Sequence, residues 1–273
     1  MRLHRKGWGM KKVCALLLVF VLAFTALGAS AESGGKGRIT GAMMLQKGEP
    51  MANGTAFLFR DVTGPPPIPE KYWRVPDEIV GIDASGRFAA EVPEGTYYLG
   101  AIKRISGNEL GAPNDGDYFL INRDEKGNPK PYPVKAGETT DVGTISSVVP
   151  FSRATYLKQE GITAIAGTVT DEKGTPVERA LVFAFATPTM VGKPLFVSER
   201  TGKNGEFFLR VDKGGTYYLK SREVYGGGAP KAGEIIGGYG ERMPEPVSVE
   251  TGKTAKGVDL RVIRFKGRGP FKQ

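Results

Sequence analysis

The sequence predicts an all-β protein of two tandem β-sandwich domains, and three observations carry the prediction. Gly95-Thr96-Tyr97-Tyr98-Leu99 is written a second time as Gly215-Thr216-Tyr217-Tyr218-Leu219. A Gly turn feeding a Thr-Tyr-Tyr-Leu run reads as the entry to a strand of aromatic and branched side chains. Elsewhere apolar residues recur at every second position, and Gly or Pro breaks the chain every ~8–12 residues, which is the spacing of sandwich strands. Neither copy carries an apolar stripe of helical period.

Taken in order, the chain opens with basic residues from Arg2 to Lys12, an apolar run from Val13 to Gly28, and Ala29-Ser30-Ala31. That is the pattern of a signal peptide cleaved after Ala31. The apolar run is shorter than the ~20 residues that span a bilayer, so no transmembrane segment is expected after cleavage. Taking the leader's Arg2, Arg5, Lys6, Lys11 and Lys12 from the 38 basic residues leaves 33 against 29 acidic ones, a formal charge of +4. Such a balance is ordinary for solubility and gives no reason to expect nucleic acid as a partner. The sole His (His4) and the sole Cys (Cys14) leave with the leader. The processed chain therefore has no means to form a disulfide, a Cys/His zinc site or a Ser–His or Cys–His catalytic pair. No catalytic, cofactor or metal residues are expected.

A spacer, 32–37, precedes the first repeat, 38–145. A connector, 146–160, leads to the second repeat, 161–265, and a basic tail closes the chain at 266–273. Gly41, Pro50, Phe57 and Phe59 match Gly167, Pro176, Phe183 and Phe185 at one offset of 126. The paired phenylalanines have the spacing that puts both on one face of a strand. Gly86-Arg87-Phe88 meets Gly205-Glu206-Phe207 at 119, the Tyr-Tyr strands meet at 120, and Val134-Lys135-Ala136-Gly137 meets Val249-Glu250-Thr251-Gly252 at 115. In each Tyr pair one ring should enter the core and its neighbour face outward. Val148, Val149, Phe151, Tyr156 and Leu157 make the connector too apolar for a mobile linker, so it should pack along the domain boundary.

The order in each repeat is Gly-x-Val/Met, Pro, an apolar strand, Gly-x-Phe, Gly-x-Tyr-x-Leu and a closing Val strand. It resembles the carboxypeptidase regulatory-like domains, small transthyretin-like or Ig-like sandwiches. The second repeat is the nearer match, through Ile165-Ala166-Gly167-Thr168-Val169, Gly174-Thr175-Pro176-Val177 and Gly205-Glu206-Phe207. The first departs from the pattern at Met43-Met44 and in two long insertions. The resemblance implies an accessory module of exported bacterial chains, without the peptidase portion or the zinc ligands that portion would need.

The first insertion, from Gly64 to Pro76, holds Pro65, Pro66, Pro67, Pro69 and Pro76 around Tyr72-Trp73-Arg74. Proline stiffens the loop, and Trp, Tyr and Arg dominate binding hot spots. Tyr72, Trp73, Arg74 and Tyr118 are thus the candidate surface for a protein partner or a glycan. The alternative is that Trp73 caps the open end of the sandwich and Arg74 snorkels. In the second insertion, Asn114-Asp115-Gly116-Asp117 offers oxygen ligands for calcium, and it equally spells a plain turn. In the second repeat, Gly226-Gly227-Gly228 and Gly237-Gly238-Tyr239-Gly240 lack the Lys-Ser/Thr of a phosphate-binding loop. The expected function is a non-catalytic binding or structural module, periplasmic or at the cell surface, whose partner is an envelope or extracellular protein. A carbohydrate-binding accessory protein is the alternative. A hydrolase using carboxylates alone finds no support in the spacing of the acids.

Overall fold

The computed structural model describes residues 34–267, apart from 106, 108–109, 158–159 and 226–228. The leader, Gly226-Gly227-Gly228 and most of the basic tail lie outside the described residues. The first sandwich is built from β1 (Lys36–Leu45), β2 (Thr55–Arg60), β3 (Glu78–Gly81), β4 (Arg87–Pro93), β5 (Gly95–Lys103), β6 (Tyr118–Ile121), β7 (Tyr132–Val134) and β8 (Thr139–Pro150). Their hydrogen-bonded order is β3-β2-β5-β6-β8-β1-β4, with β7 on the start of β5. β1 and β8 run parallel and all other pairs antiparallel. A single helical turn, α1 (Arg153–Tyr156), leads into the second sandwich.

That sandwich comprises β9 (Thr163–Thr170), β10 (Leu181–Phe185), β11 (Phe196–Val197), β12 (Glu206–Val211), β13 (Gly215–Arg222), β14 (Ile235–Gly238), β15 (Val247–Val249), β16 (Thr254–Ala255) and β17 (Leu260–Arg264). Its order, β11-β10-β13-β14-β17-β9-β12, repeats the first strand for strand, with β16 and β17 as parallel partners of the opening strand. The sequence duplication is therefore a duplication of topology. The single long strand β8 corresponds to β16 and β17, which Gly257 separates (φ 73°).

Each sandwich has its own interior. Ile39, Leu58, Val92, Tyr97 and Leu99 fill the first, and Ile165, Val182, Leu209, Tyr217 and Leu219 fill the second. The repeated tyrosines behave alike. Tyr97 and Tyr217 are buried, each donating its hydroxyl to the carbonyl four residues earlier, Pro93 at 2.7 Å and Lys213 at 2.9 Å. Their neighbours Tyr98 and Tyr218 face the other way, as strand alternation requires, and pack in the junction between the sandwiches. Gly41 and Gly167 are needed where strands close up. A Cβ at Gly167 would lie 1.9 Å from the Val258 carbonyl oxygen, and one at Gly41 2.4 Å from Val142 Cγ2.

A third apolar cluster joins the two halves. β2 sends Ala56 and Leu58 inward, while Phe57 and Phe59 point out of the first sandwich. β10 sends Val182 and Ala184 inward, while Leu181, Phe183 and Phe185 point out of the second. These outer faces meet with Trp73, Phe119, Ile121, Phe151 and Leu157, all buried. At roughly 1.5–3 kcal/mol per buried large apolar side chain, this cluster ranks with a domain core. From Gly34 onward the chain accordingly forms one contact unit.

Candidate functional site

The proline-rich insertion of the first repeat is the element that organises the junction. It leaves β2 through a 3-10 turn at Asp61–Thr63. A further turn places the Tyr72 amide on the Ile68 carbonyl at 3.0 Å. The chain then runs antiparallel to β11 of the other sandwich. Val197 N donates to Trp73 O at 3.0 Å and Val75 N to Leu195 O at 3.1 Å. The insertion thus bridges a sheet edge that would otherwise present unpaired backbone groups.

Its side chains correct the expectation of an exposed platform. Tyr72 is 3 % exposed and sits in the interior of the second sandwich, edge-on to Phe196 at 5.2 Å, with its hydroxyl on the Pro66 carbonyl at 2.7 Å. Burial pushes its pKa far above the ordinary phenol value, and the nearby Asp212 adds to the shift. Trp73 is 7 % exposed and packs against Phe119 at 5.8 Å and Phe151 at 6.1 Å. Its Nε1 has no hydrogen-bond partner among the described residues.

Arg74 is 6 % exposed. Its guanidinium donates to Pro65 O at 2.6 Å, Thr63 Oγ1 at 2.7 Å, Asp77 Oδ2 at 3.1 Å and Arg60 O, and it lies over the Phe59 ring. Desolvation lowers its pKa, against the raising effect of Asp77. Tyr118 is not brought to this group. Alternation on β6 turns Tyr118 to the first core and hands Phe119 to Trp73. Of the residues marked by type as a recognition surface, Tyr72 and Trp73 hold the halves together, Arg74 braces the insertion's own turns and Tyr118 packs on the first core.

Asn114-Asp115-Gly116-Asp117 is resolved in favour of the turn. Asp117 is fully buried and accepts from Arg104 Nη1 at 2.6 Å, Asn114 N at 2.8 Å and Ile105 N at 3.0 Å. Asp115 Oδ1 accepts from Arg153 N at 2.5 Å. Asp117, saturated by three donors, leaves few lone pairs for a cation. Among the described residues no three His, Cys, Asp or Glu side chains gather as a metal site.

Two concavities flank the junction. A small apolar one of about 40 Å³ lies under the insertion, against Trp73, Phe57 and Phe119. A larger polar cleft of about 460 Å³ is lined by Arg104, Arg153, Arg179, Arg200, Glu199 and Asn114. Leu110, Gly111 and Ala112 form a wall common to both. No sequence motif announced the cleft, because its arginines come from four separate segments.

Fold and junction together define an all-β, two-sandwich module whose halves are fused. No protein-family model matches the chain, and no curated protein sequence matches it. Among solved structures it is similar to the TIE protein of Bacillus anthracis (15 % identity, 84 % of this chain and 34 % of that one, TM-score 0.25). It is also similar to a streptococcal ancillary pilin (12 % identity, 84 % and 62 %, TM-score 0.24). A third is a minor pilin of Streptococcus agalactiae (12 % identity, 87 % and 100 %, TM-score 0.25). The chain spans 34 % of the first and 62 % of the second. At these scores the fold assignment rests on the strand pairing described above. Among the described residues no helix is long and apolar enough to cross a membrane.

Proposed function

We propose that the chain is an exported, non-catalytic structural or binding module of the carboxypeptidase regulatory-like type. In this reading the repeats 38–145 and 161–265 work as one rigid unit in the periplasm or at the cell surface. The observation that carries it is the junction. Two outer sheet faces that free domains would show to solvent are packed on each other, and the first repeat's insertion is built into the second repeat's edge. Many of the buried polar groups likewise serve backbone carbonyls and turns, as Arg74, Asp117, Tyr97 and Tyr217 do. Such a body suits spacing or presenting an envelope or extracellular protein. Because Tyr72 and Trp73 are interior, a glycan-stacking role for them has no support.

The test is fractionation of cells producing the full chain, with N-terminal sequencing, followed by cross-linking in the native envelope. The reading expects a processed form beginning at Glu32 outside the cytoplasm, cross-linked to an envelope protein. An unprocessed cytoplasmic form would refute it, as would turnover of a substrate by the purified protein.

A further inference from the structure

We propose that a second copy of the chain docks on the outer face of the first sandwich, seating its Phe208 in a trough over Ala89. The trough, of about 630 Å³, lies on the outer face of β1, β4 and β8, strands that take no part in the junction cluster. Its floor is Thr40, Gly41, Ala42 and Ala89, side chains too small to fill it. Arg87 stands on β4 two residues before Ala89, and Arg38 of β1 lies opposite Glu91, two residues after it. Among the described residues neither guanidinium has an ion pair or a hydrogen bond. The acids of the trough are engaged by amides of their own turns. Asp83 accepts from Ser85 N and Arg87 N, both at 2.8 Å, and Asp141 from Gly143 N at 3.0 Å.

The duplication puts the opposite features at the matching positions of the second sandwich. At the offset of 119 that aligns Phe88 with Phe207, Ala89 becomes Phe208 and Arg87 becomes Glu206. Phe208 is 43 % exposed on the edge strand β12. The Arg210 guanidinium lies over its ring at 5.3 Å, which limits the freedom the ring would lose on docking. Glu206 is exposed on the same face and has no partner among the described residues. With Phe208 seated over Ala89, Glu206 meets a guanidinium whichever way the incoming strand runs, because Arg87 and Arg38 flank Ala89 on its two sides. A knob on one half and its hole on the other make a heterologous contact, so copies add in a row instead of closing as a symmetric pair.

The inference stands independently of export or of any envelope partner. It is tested by analytical ultracentrifugation of the full chain, in a series reaching about 1 mM, where a weak contact of this size is populated. Sedimentation should quicken with concentration. Phe208→Ala, which installs the first repeat's residue, should weaken association at least about tenfold, the loss of one buried ring. Ile263→Ala, at an equally exposed position (44 %), should leave it unchanged. Arg38→Glu with Arg87→Glu should weaken association about fivefold, and adding Glu206→Arg should restore it. Monomer alone throughout the series would overturn the proposal. So would association that Phe208→Ala does not weaken, that Ile263→Ala weakens as much, or that Glu206→Arg fails to restore, with unfolding midpoints showing the variants folded.

Discussion

Replacing Trp73 by Ala separates a ring that holds the two sandwiches together from one that waits for a partner. The side chain is 7 % exposed and packs edge-on against Phe119 and at a tilt against Phe151. Truncating such a buried ring costs about 3–5 kcal/mol, part transfer and part cavity. Against this, the buried Nε1 without a partner among the described residues is removed as well, which returns about 1 kcal/mol. The net loss is then about 2–4 kcal/mol. A chain of this length moves its midpoint by ~2–4 °C per kcal/mol, so Tm should fall by roughly 5–15 °C. Urea unfolding followed by far-UV circular dichroism, together with calorimetry, measures the change. Trp73→Phe is the companion variant. It keeps an aromatic ring on Phe119 and discards the orphaned N–H, so it should lose much less. A loss below ~1 kcal/mol for Trp73→Ala would mean that the ring is not structural, and the junction argument would fail with it.

Three further outcomes follow from named contacts. Burial and the nearby Asp212 raise Tyr217 from 10 to about 12. Its contribution is therefore whole below pH 10 and is lost as pH rises through about 12; Tyr217→Phe should flatten that alkaline limb in urea titrations. Glu234 is held below its ordinary value of 4.5, first by the hydrogen bond from Arg222. Its contribution is present above 4.5 and lost as pH falls through the lowered value, and Glu234→Gln should remove that part of the acid dependence. Gly167→Ala should cost at least about 3 kcal/mol by forcing a Cβ onto backbone, whereas Gly81→Ala, with nothing within 4 Å, should leave the unfolding midpoint nearly unchanged.

Much of the fold is legible in the sequence because strand pattern and turn chemistry are local. The repeated Gly-Thr-Tyr-Tyr-Leu locates β5 and β13, and alternation alone sorts each Tyr pair into an inner and an outer ring. The junction was written in the same letters but needed another reading. Thr55-Ala-Phe-Leu-Phe and Leu181-Val-Phe-Ala-Phe are continuous apolar runs, the mark of strands covered on both faces. Period-2 spacing shows that Phe57 and Phe59 share a face, but not that a second sandwich covers it. The insertion illustrates the limit more sharply. Trp, Tyr and Arg beside prolines have the same composition in a recognition loop and in a tie, and only the pairing of Trp73 and Val75 with β11 distinguishes them. The arginine cleft was illegible for a different reason, since Arg104, Arg153, Arg179 and Arg200 converge only after both halves have closed.

The way Tyr72 and Trp73 are seated also sets an order of events during synthesis. Tyr72 leaves the ribosome long before Phe196 of β11 exists, whereas Trp73 meets Phe119 and Phe151 first, so the nascent first half carries one greasy ring with nowhere to go. Until Phe196 and its neighbours emerge, that half exposes the very segment most prone to stray association. Truncation after the connector should therefore yield a sticky fragment rather than a small independent protein. The second half, started without its predecessor, would lack the plug that completes its interior.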